Sequence, residues 1–378
     1  MRAFADKFVD GAMARGASRE VAERVYSQIV GFSGFGFPKA HSAAFGLLAY
    51  QSTWLRVHFP AEFLCALLNE QPMGFYPSDT LVHEAQRRGI EVLAPDVRVS
   101  TADCRVESGA VRIGLGYVKG VAADDVRAVV EERERRPFAS VEDLAARCAS
   151  RVDSLERLAW AGALDGLVEG GRREALWRLG VTAPGVRVDG GTQLALPVDV
   201  SAPELDGLTP WERLLADYGS TEMTLGDHPI GLMRPTLSDD VCSSEDLERR
   251  RDGDRVRVAG MVVARQRPAT ANGITFMLLE DELGVINLIV PVPVYEKYRL
   301  TVRAEPLLLA EGILERREGT TNIVVSSLDR LERPDLPLGE VRHIEPRRAW
   351  SNDESGDALR DGDLRAVVPA AHSFGRRG

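Results

Sequence analysis

The chain has 378 residues, 44% of them hydrophobic, which is enough for two or three domains with packed cores. Its formal net charge of -10 argues against binding nucleic acid through overall charge, because phosphate binding depends on Lys and Arg. No apolar run reaches the roughly 18–20 residues of a membrane span, and the N-terminus is acidic where a signal peptide is basic. We therefore expect a cytoplasmic protein with no membrane partner.

The four cysteines lie tens of residues apart and form no CxxC pair, at Cys65, Cys104, Cys148 and Cys242. A structural zinc site needs closely spaced Cys or His ligands, and a secreted disulfide framework needs regularly paired cysteines. The sequence therefore predicts reduced, mostly buried thiols and no metal site.

The first 70 residues follow helical spacing. Apolar positions in residues 1–30 predict two helices, with Ser18 capping the second, followed by a glycine-rich turn. Residues 41–68 again follow a helical pattern, and Pro60 suits the first turn of a new helix. We therefore expect a helical N-terminal region.

Local charge differs from the average. Residues 1–60 are basic, and residues 249–267 hold seven arginines against two aspartates. Each run is interpreted either as a solvated face or as a phosphate-binding surface.

The segment after residue 88 changes to short strand-like pieces, and Glu-Ser-Gly at 107–109 predicts a hairpin turn. A glycine-containing hairpin follows within residues 113–148, with Gly114, Gly116, Lys119 and Gly120 as candidate DNA-binding residues. Glycines let backbone N–H groups approach a phosphate, and Lys119 adds a charge. A plain helical hairpin remains the alternative.

Residues 180–201 have the composition of an exposed linker, yet they contain "QLALP". A glutamine followed by spaced leucines fits an extended peptide that docks in an apolar groove, although chance occurrence of such a pentapeptide is the alternative. The candidate residues are Gln193, Leu194, Leu196 and Pro197.

Residues 255–331 read as five strands with a short helix between the third and the fourth, the order of an oligonucleotide-binding (OB) barrel. Such barrels bind single strands in cationic grooves with stacking aromatic side chains. The candidates, some of which we expect to be core or solvated instead, are Arg257, Arg265, Arg267, Phe276 and Tyr298. After Pro334 the composition predicts a disordered tail.

The order of these parts resembles a known family. "GFGFPKAHSAAFGLLAYQSTWLRVHFPAEF", "GLGYVKGV", "LAWAGALDGL", "LGDHPIG" and "RVRVAGMVVARQR…FMLLEDELGVINLIV" resemble, in the same order, the C-terminal half of bacterial family C DNA polymerases, the alpha subunit of DNA polymerase III. The resemblance runs from residue 1 to about 332. The chain ends in "HSFGRRG" without the further domain that holds the clamp-loader tau subunit, which is more like the error-prone paralogue.

The resemblance implies a multidomain α+β protein that is mostly helical at first, then an all-β five-stranded barrel, then a disordered tail. The implied domains are a fingers remnant (1–72), a helix-hairpin-helix DNA-binding domain (73–180), a linker with a clamp-binding motif and short helices (181–244), an OB domain (245–332) and the tail (333–378).

The resemblance also implies roles. In a finger element Lys39, His41 and Ser42 would meet the incoming nucleotide, although His41 and Ser42 as simple helix caps remain the alternative. The linker motif would bind the sliding clamp, and primer-template duplex, single-stranded template and other damage-tolerance proteins would be partners. Two Mg²⁺ ions serve the full-length polymerase through palm carboxylates, and no aspartate of this chain matches them. We therefore expect an inactive C-terminal piece of a polymerase.

Two other functions remain open. One is a stand-alone DNA-binding accessory protein without chemistry, and the other is an RNA-binding OB module of the anticodon-reading sort. Primer extension separates the polymerase from the accessory protein, and competition between single-stranded DNA and tRNA tests the RNA-binding module.

Overall fold

The structure is a computed structural model. The structure describes residues 2–35, 39–73, 76–148, 150–181, 186–188, 191–193, 202–317, 319–332 and 372–374. Among these residues, every helix is too short or too polar to cross a lipid bilayer. The chain divides into two units, Met1–Phe59 and Pro60–Gly378, which are described separately.

The first unit is helical, as the apolar spacing predicts. It contains α1 (Arg2–Met13), α2 (Arg19–Phe35) and α3 (Lys39–His58). Val9 of α1 and Ala22 of α2 are buried, and the ring centroids of Phe8 and Tyr26 are 5.5 Å apart. The predicted cap forms, because the main-chain N–H of Val21 donates to Ser18 Oγ at 3.3 Å.

Two glycines of the predicted glycine turn lie inside a helix instead. Gly31 and Gly34 lie within α2, which continues to Phe35. A glycine in a helix costs only about 1 kcal/mol relative to alanine, which apolar neighbours on the same helix can offset. Gly36 lies outside the described residues.

The second unit begins with α4 (Pro60–Asn69), where Pro60 takes the predicted first position, and α5 (Ser78–Arg87). A three-stranded sheet follows, in the order β1 (Val92–Leu93), β3 (Ala110–Arg112), β2 (Arg105–Glu107). The predicted hairpin turn joins β2 to β3, and its central residues Ser108 and Gly109 have φ values of 53° and 88°. Two positive φ values are the signature of the tight turns that join antiparallel strands.

Four more helices build the predicted helix-hairpin-helix region. They are α6 (Ala123–Arg135), α7 (Val141–Arg147), α8 (Val152–Trp160) and α9 (Gly171–Val181). Ser140 caps α7 by accepting a hydrogen bond from the Asp143 main-chain N–H at 3.2 Å. Their shared core includes Val129, Leu144 and Leu158, each fully buried. We call residues 60–181 the helical module.

The predicted linker contains ordered elements. A short hairpin pairs β4 (Val186–Val188) with β5 (Gly191–Gln193), and α10 (Pro210–Thr221) and α11 (Pro229–Met233) follow. Thr209 and Glu212 form a capping box at the start of α10. Leu215 of α10 and Ile230 of α11 pack with Met261 in one buried cluster. The end of the predicted linker therefore contributes to the fold of the next domain.

The all-β domain has the order that its sequence predicts. Its elements are β6 (Val241–Cys242), α12 (Ser244–Arg249), β7 (Arg255–Gln266), β8 (Thr275–Glu280), β9 (Val285–Val290), α13 (Val292–Lys297), α14 (Arg299–Ala304), β10 (Leu307–Arg317) and β11 (Thr320–Arg330). The predicted single helix between the third and fourth long strands is split in two at Tyr298.

The five long strands close into a barrel. β7 pairs with β8, β8 with β9, β9 with β11, β11 with β10, and β10 with β7. Alternate residues point inward, so Val258, Leu279, Leu288 and Leu308 fill the interior. The prediction of a five-stranded OB-like barrel is confirmed. We call residues 241–332 the barrel.

Most of the predicted disordered tail lies outside the described residues. Within it, β12 (His372–Phe374) runs parallel to β7, with His372 opposite Ala264 and Phe374 opposite Gln266.

The barrel interior supplies a stability prediction. Leu288 on β9 is 1% exposed within the barrel core, so Leu288→Ala leaves a cavity and lowers the free energy of unfolding by about 2–5 kcal/mol. Leu283→Ala is the matched control, because Leu283 is 47% exposed in the β8–β9 turn and should change stability by at most about 0.5 kcal/mol. Urea unfolding followed by circular dichroism measures both, and equal losses would contradict the assigned core.

Candidate nucleic-acid interface

The predicted glycine hairpin of the helical module is built for close packing. Gly114, Leu115 and Gly116 form a turn against the loop before β2, and the Leu115–Tyr117 segment is a 3₁₀ helix rather than an α-helix. A Cβ on Gly114 would lie 2.3 Å from the Ala102 carbonyl oxygen, and one on Gly116 would lie 2.9 Å from it. Close packing therefore requires glycine at both positions, whether or not a phosphate binds there.

Lys119 and Gly120 end this turn. The Lys119 main-chain N–H donates to the Ser220 carbonyl at 2.8 Å, and its Nζ pairs with Glu222 of the segment after α10. Its side chain is 47% exposed, and Gly120 has φ +73° at the entry to α6. Lys119 is thus accessible at the surface but already paired with one carboxylate.

One end of the barrel groups cationic and aromatic side chains, most of them exposed. Gln266 lies opposite Phe276, and Thr275 lies opposite Val290, so the end of β7, the start of β8 and the start of α13 meet there. Phe276 is 37% exposed. We define the barrel end by Arg267, Phe276, Tyr295 and Lys297.

The cations of the barrel end are held by aromatic rings. The Arg267 guanidinium lies 4.1 Å from the centre of the buried Tyr295 ring, and its Nε donates to the Gly273 carbonyl. Lys297 Nζ lies 4.9 Å from the centre of the Tyr298 ring. Stacking on a ring leaves the charge available to a further ligand, because cation–π contacts use no hydrogen-bond donor.

The structure separates the predicted barrel residues. Arg257 lies nine residues before Gln266 on β7, which is at most roughly 30 Å along the strand at about 3.3 Å per residue, and it pairs with Asp240 at 2.7 Å. Arg265 donates to the main-chain carbonyls of Val302 and Glu305. Burial lowers the pKa of the Arg265 guanidinium to about 10. Arg265 therefore holds α14 against β7, and the barrel end contains Arg267 and Phe276 without Arg257.

The predicted nucleotide-binding residues lie at the start of α3 in the first unit. Lys39 begins the helix, and His41 and Ser42 lie within its first turns with exposed side chains. The His41 ring centroid is 4.3 Å from that of Phe45. His41 and Ser42 are thus inside the helix and do not occupy the cap position that the alternative required.

Helix α3 exposes large apolar side chains over its whole length. Their exposed fractions range from 44% to 67%, at Phe45, Leu47, Leu48, Tyr50, Trp54, Leu55 and Val57. An exposed apolar surface of this kind is typical of an interaction site.

The clamp-binding candidates fall mostly outside the described residues. Gln193 is the last residue of β5, while Leu194, Leu196 and Pro197 are not among the residues that the structure describes.

A buried cluster that sequence reasoning missed joins the helical module to the barrel. It contains Asp79 and His83 of α5, Glu280 of β8 and His228 before α11, and each is 8% exposed or less. Asp79 and His83 are four residues apart on one helix, a spacing that places both on one face. The partner from β8 is about 200 residues away in sequence, so only the fold reveals the cluster.

Three members of the cluster, His83, His228 and Glu280, have possible metal-ligand atoms within 4.8 Å of one another. However, His228 Nδ1 accepts a hydrogen bond from the Ile230 main-chain N–H, so the proton of the neutral ring is on Nε2, which then has no free lone pair. Arg87 also donates to Glu280 Oε1 at 2.8 Å. These residues therefore do not fit a metal ion.

Comparison with protein families agrees with this architecture. The model of the helix-hairpin-helix motif matches residues 89–176, which span the turn at Gly114–Gly120 and helices α6, α7 and α8. This motif occupies part of the helical module.

Curated relatives give the more extensive match. An error-prone DNA polymerase of Alkalilimnicola ehrlichii is 42% identical over 332 residues, which cover 86% of this chain and 32% of the relative. The error-prone DNA polymerase of Pseudomonas aeruginosa is 39% identical over 333 residues, with the same coverages, and that of Anaeromyxobacter sp. (strain K) is 40% identical over 339 residues, which cover 85% and 29%. The resemblance to family C DNA polymerases is confirmed. The chain spans about a third of the length of these error-prone polymerases.

Solved structures match smaller parts. An asparaginyl-tRNA synthetase of Pyrococcus horikoshii is 25% identical with a TM-score of 0.18, over 21% of this chain and 20% of the synthetase. The hypothetical protein ygiW of E. coli is 18% identical with a TM-score of 0.20, over 26% of this chain and 94% of ygiW. Scores this low add nothing to the assignment.

The close packing at Gly114 generates a prediction. Gly114→Ala, at an unstrained φ of -74°, places a methyl group against the Ala102 carbonyl and should destabilise the helical module by about 1–3 kcal/mol. Gly226→Ala is the control, because its Cβ would meet open space. Thermal unfolding of both variants measures the difference. If Gly114→Ala matches the wild type in stability, the structural role assigned to this glycine is wrong.

Proposed function

We propose that this chain is the C-terminal DNA-binding part of an error-prone DNA polymerase, which acts in replication and in damage-tolerant repair synthesis. The observation that carries the proposal is the identity of about 40% to error-prone DNA polymerases over 86% of the chain. In this proposal the helical module holds primer-template duplex, and the barrel holds single-stranded template.

The barrel end supports the single-strand part of the proposal. Single-stranded DNA binds where cations follow the backbone and aromatic rings stack on bases. Arg267 and Lys297 supply charge, and the exposed Phe276 ring supplies a stacking face at the same end of the barrel. The overall charge of -10 does not oppose this, because phosphate contacts depend on local charge.

The helix-hairpin-helix match supports the duplex part. Residues 89–176 include the turn in which Lys119 is half-exposed, at the N-terminal end of α6. Backbone N–H groups at a helix start and a nearby cation together suit a phosphate.

The polymerase reaction itself needs paired carboxylates that hold two Mg²⁺ ions. We assign those carboxylates to the portion of the polymerase relatives that this chain does not match, which is about two thirds of their length. The apolar side of α3 is consistent with this, since it suits contact with further protein.

DNA binding tests the barrel end. Arg267→Ala should weaken binding of an oligothymidine strand and reduce the slope of log affinity against log salt by about 0.7, the value for one phosphate contact. Phe276→Ala should weaken binding by about 1–3 kcal/mol through lost stacking, with little change in the salt slope. Fluorescence anisotropy of the purified chain across a salt series measures both.

The controls replace exposed side chains elsewhere on the barrel with alanine. Arg255→Ala removes an exposed arginine at the other end of β7, and Leu283→Ala removes an exposed apolar side chain in the β8–β9 turn. If the control and test variants bind alike, the barrel end is not the binding surface.

Primer extension by the purified chain should stay at background, and nucleotide incorporation would contradict the assignment of the carboxylates.

We also propose that the segment Gln193–Pro197 binds the sliding clamp of the polymerase. It lies between the helical module and α10, and two leucines in a linker suit an apolar groove on a partner. Each leucine contributes up to about 1.5–3 kcal/mol when fully buried, although ordering the peptide offsets part of this.

Clamp binding is testable with a peptide of residues 189–200. Calorimetry against the purified clamp should give a Kd on the order of micromolar, and Gln193→Ala or Leu196→Ala should weaken binding at least several-fold. A peptide with the same composition in scrambled order is the control. Absence of saturable binding, or binding that ignores both substitutions, would show that the segment is an ordinary linker.

A further inference from the structure

The buried cluster at Asp79, His83 and Glu280 connects two parts of the second unit. Asp79 and His83 belong to α5 of the helical module, while Glu280 is the last residue of β8 in the barrel. Glu280 is 0% exposed, Asp79 is 1% exposed and His83 is 6% exposed. Ionisable groups are almost never buried to this extent unless they are paired.

His83 lies between the two carboxylates. Its Nε2 is 3.3 Å from Asp79 Oδ1, and its Nδ1 is 3.5 Å from Glu280 Oε1. These separations are longer than a normal hydrogen bond, and neither ring nitrogen has a well-formed hydrogen bond. The imidazole therefore stabilises its neighbours mainly through charge, which it carries only when protonated.

Other groups complete the surroundings. Arg87 of α5 donates to Glu280 Oε1 at 2.8 Å, and Thr80 Oγ1 donates to Glu280 Oε2 at 3.3 Å. From the α10 side, the Tyr218 hydroxyl donates to Asp79 Oδ2 at 2.7 Å and the Thr224 main-chain N–H donates to Asp79 Oδ1 at 3.2 Å.

His228 faces His83 from the start of α11, with ring centroids 5.2 Å apart. Burial lowers the pKa of His228 to about 3, so this ring stays neutral at ordinary pH. The nearby buried charged groups are thus Asp79 and Glu280, together with His83 when it is protonated. Arg87 faces them from α5 and also pairs at 3.5 Å with Glu84, whose side chain is 45% exposed and therefore solvated.

The protonation state of His83 decides the charge balance of the cluster. With His83 protonated, two cations face two carboxylates. With His83 neutral, Arg87 alone faces Asp79 and Glu280, which leaves one uncompensated negative charge in a buried site. An uncompensated buried charge is strongly destabilising, whereas a balanced network is tolerated.

We propose that protonated His83 is an electrostatic joint between the helical module and the barrel, and that loss of its proton loosens this joint. The joint sets the orientation of α5 relative to β8, and with it the arrangement of the two modules. Its readouts involve no DNA, so the proposal is independent of the proposed function.

The direction of the pH effect follows from the contacts. Burial lowers the pKa of His83, but the two carboxylates more than offset it and raise the pKa above 6.5. The stabilisation is therefore complete below pH 6.5 and is lost as pH rises through the folded-state pKa. Burial raises the pKa of Asp79 to about 6, so Asp79 is mostly ionised before this window.

Thermal unfolding between pH 6.5 and about 9 tests the joint. The Tm of the wild-type chain should fall by about 2 °C for each pH unit between 6.5 and the folded-state pKa, and then level off. His83→Gln should remove this fall. His58→Gln, which removes an exposed histidine of α3, is the matched control and should keep it. An unchanged pH slope in His83→Gln would overturn the proposal.

Two further measurements locate the effect. Hydrogen exchange, corrected for its intrinsic pH dependence, should speed up with pH at α5 and β8 in the wild type, and uniform behaviour across the second unit would count against a joint. Should His83→Gln fail to fold, NMR titration of the wild-type imidazole carbons decides instead: a His83 midpoint above 6.5 supports the proposal and one at or below 6.5 overturns it. If the purified wild-type chain binds zinc at one ion per chain and His83→Gln does not, the proposal would also be overturned.

Discussion

The pairing of β7 with β10 is the constraint on which the barrel depends. Seven residue pairs, from Leu307 opposite Met261 to Ile313 opposite Arg255, close a five-stranded sheet that would otherwise have two open edges. Gly260 permits this closure because a Cβ there would lie 2.6 Å from Leu279, and a Cβ on Gly312 would lie 2.3 Å from the Val324 carbonyl. The end of β7 and the start of β8 meet at the barrel end through the antiparallel β7–β8 ladder, in which Gln266 lies opposite Phe276.

The barrel was predictable from the sequence because its information is local. Alternating β-branched residues mark each strand, and Asp281 and Gly319 mark the two hairpin turns. Asp281 is fully buried, and its carboxylate accepts hydrogen bonds from the main-chain N–H groups of Leu283 and Gly284, so an aspartate stabilises that turn. The helical regions were predictable for the same reason, since helix periodicity and caps such as Ser18 and Ser140 depend on neighbours in sequence.

The side chains of the candidate sites were less predictable, because their surroundings come from distant segments. The sequence pattern around a strand arginine is the same whether its side chain faces solvent or donates hydrogen bonds inside the fold. Arg265 does the latter, because it donates to the carbonyls of Val302 and Glu305 about 40 residues later. The glycines at 114 and 116 suggested phosphate, yet they pack against Ala102. The joint at His83 depends on Glu280, and no local pattern connects the two.

The exposed apolar side of α3 has a consequence for the isolated chain in solution. The buried cores lie in the closed barrel and the helical module, whereas α3 leaves large apolar side chains in contact with water. Such a surface favours self-association at high concentration, even when every module is fully folded. Turbidity or a large apparent size of the isolated chain would thus indicate association through the exposed α3, and neither observation would be evidence of misfolding.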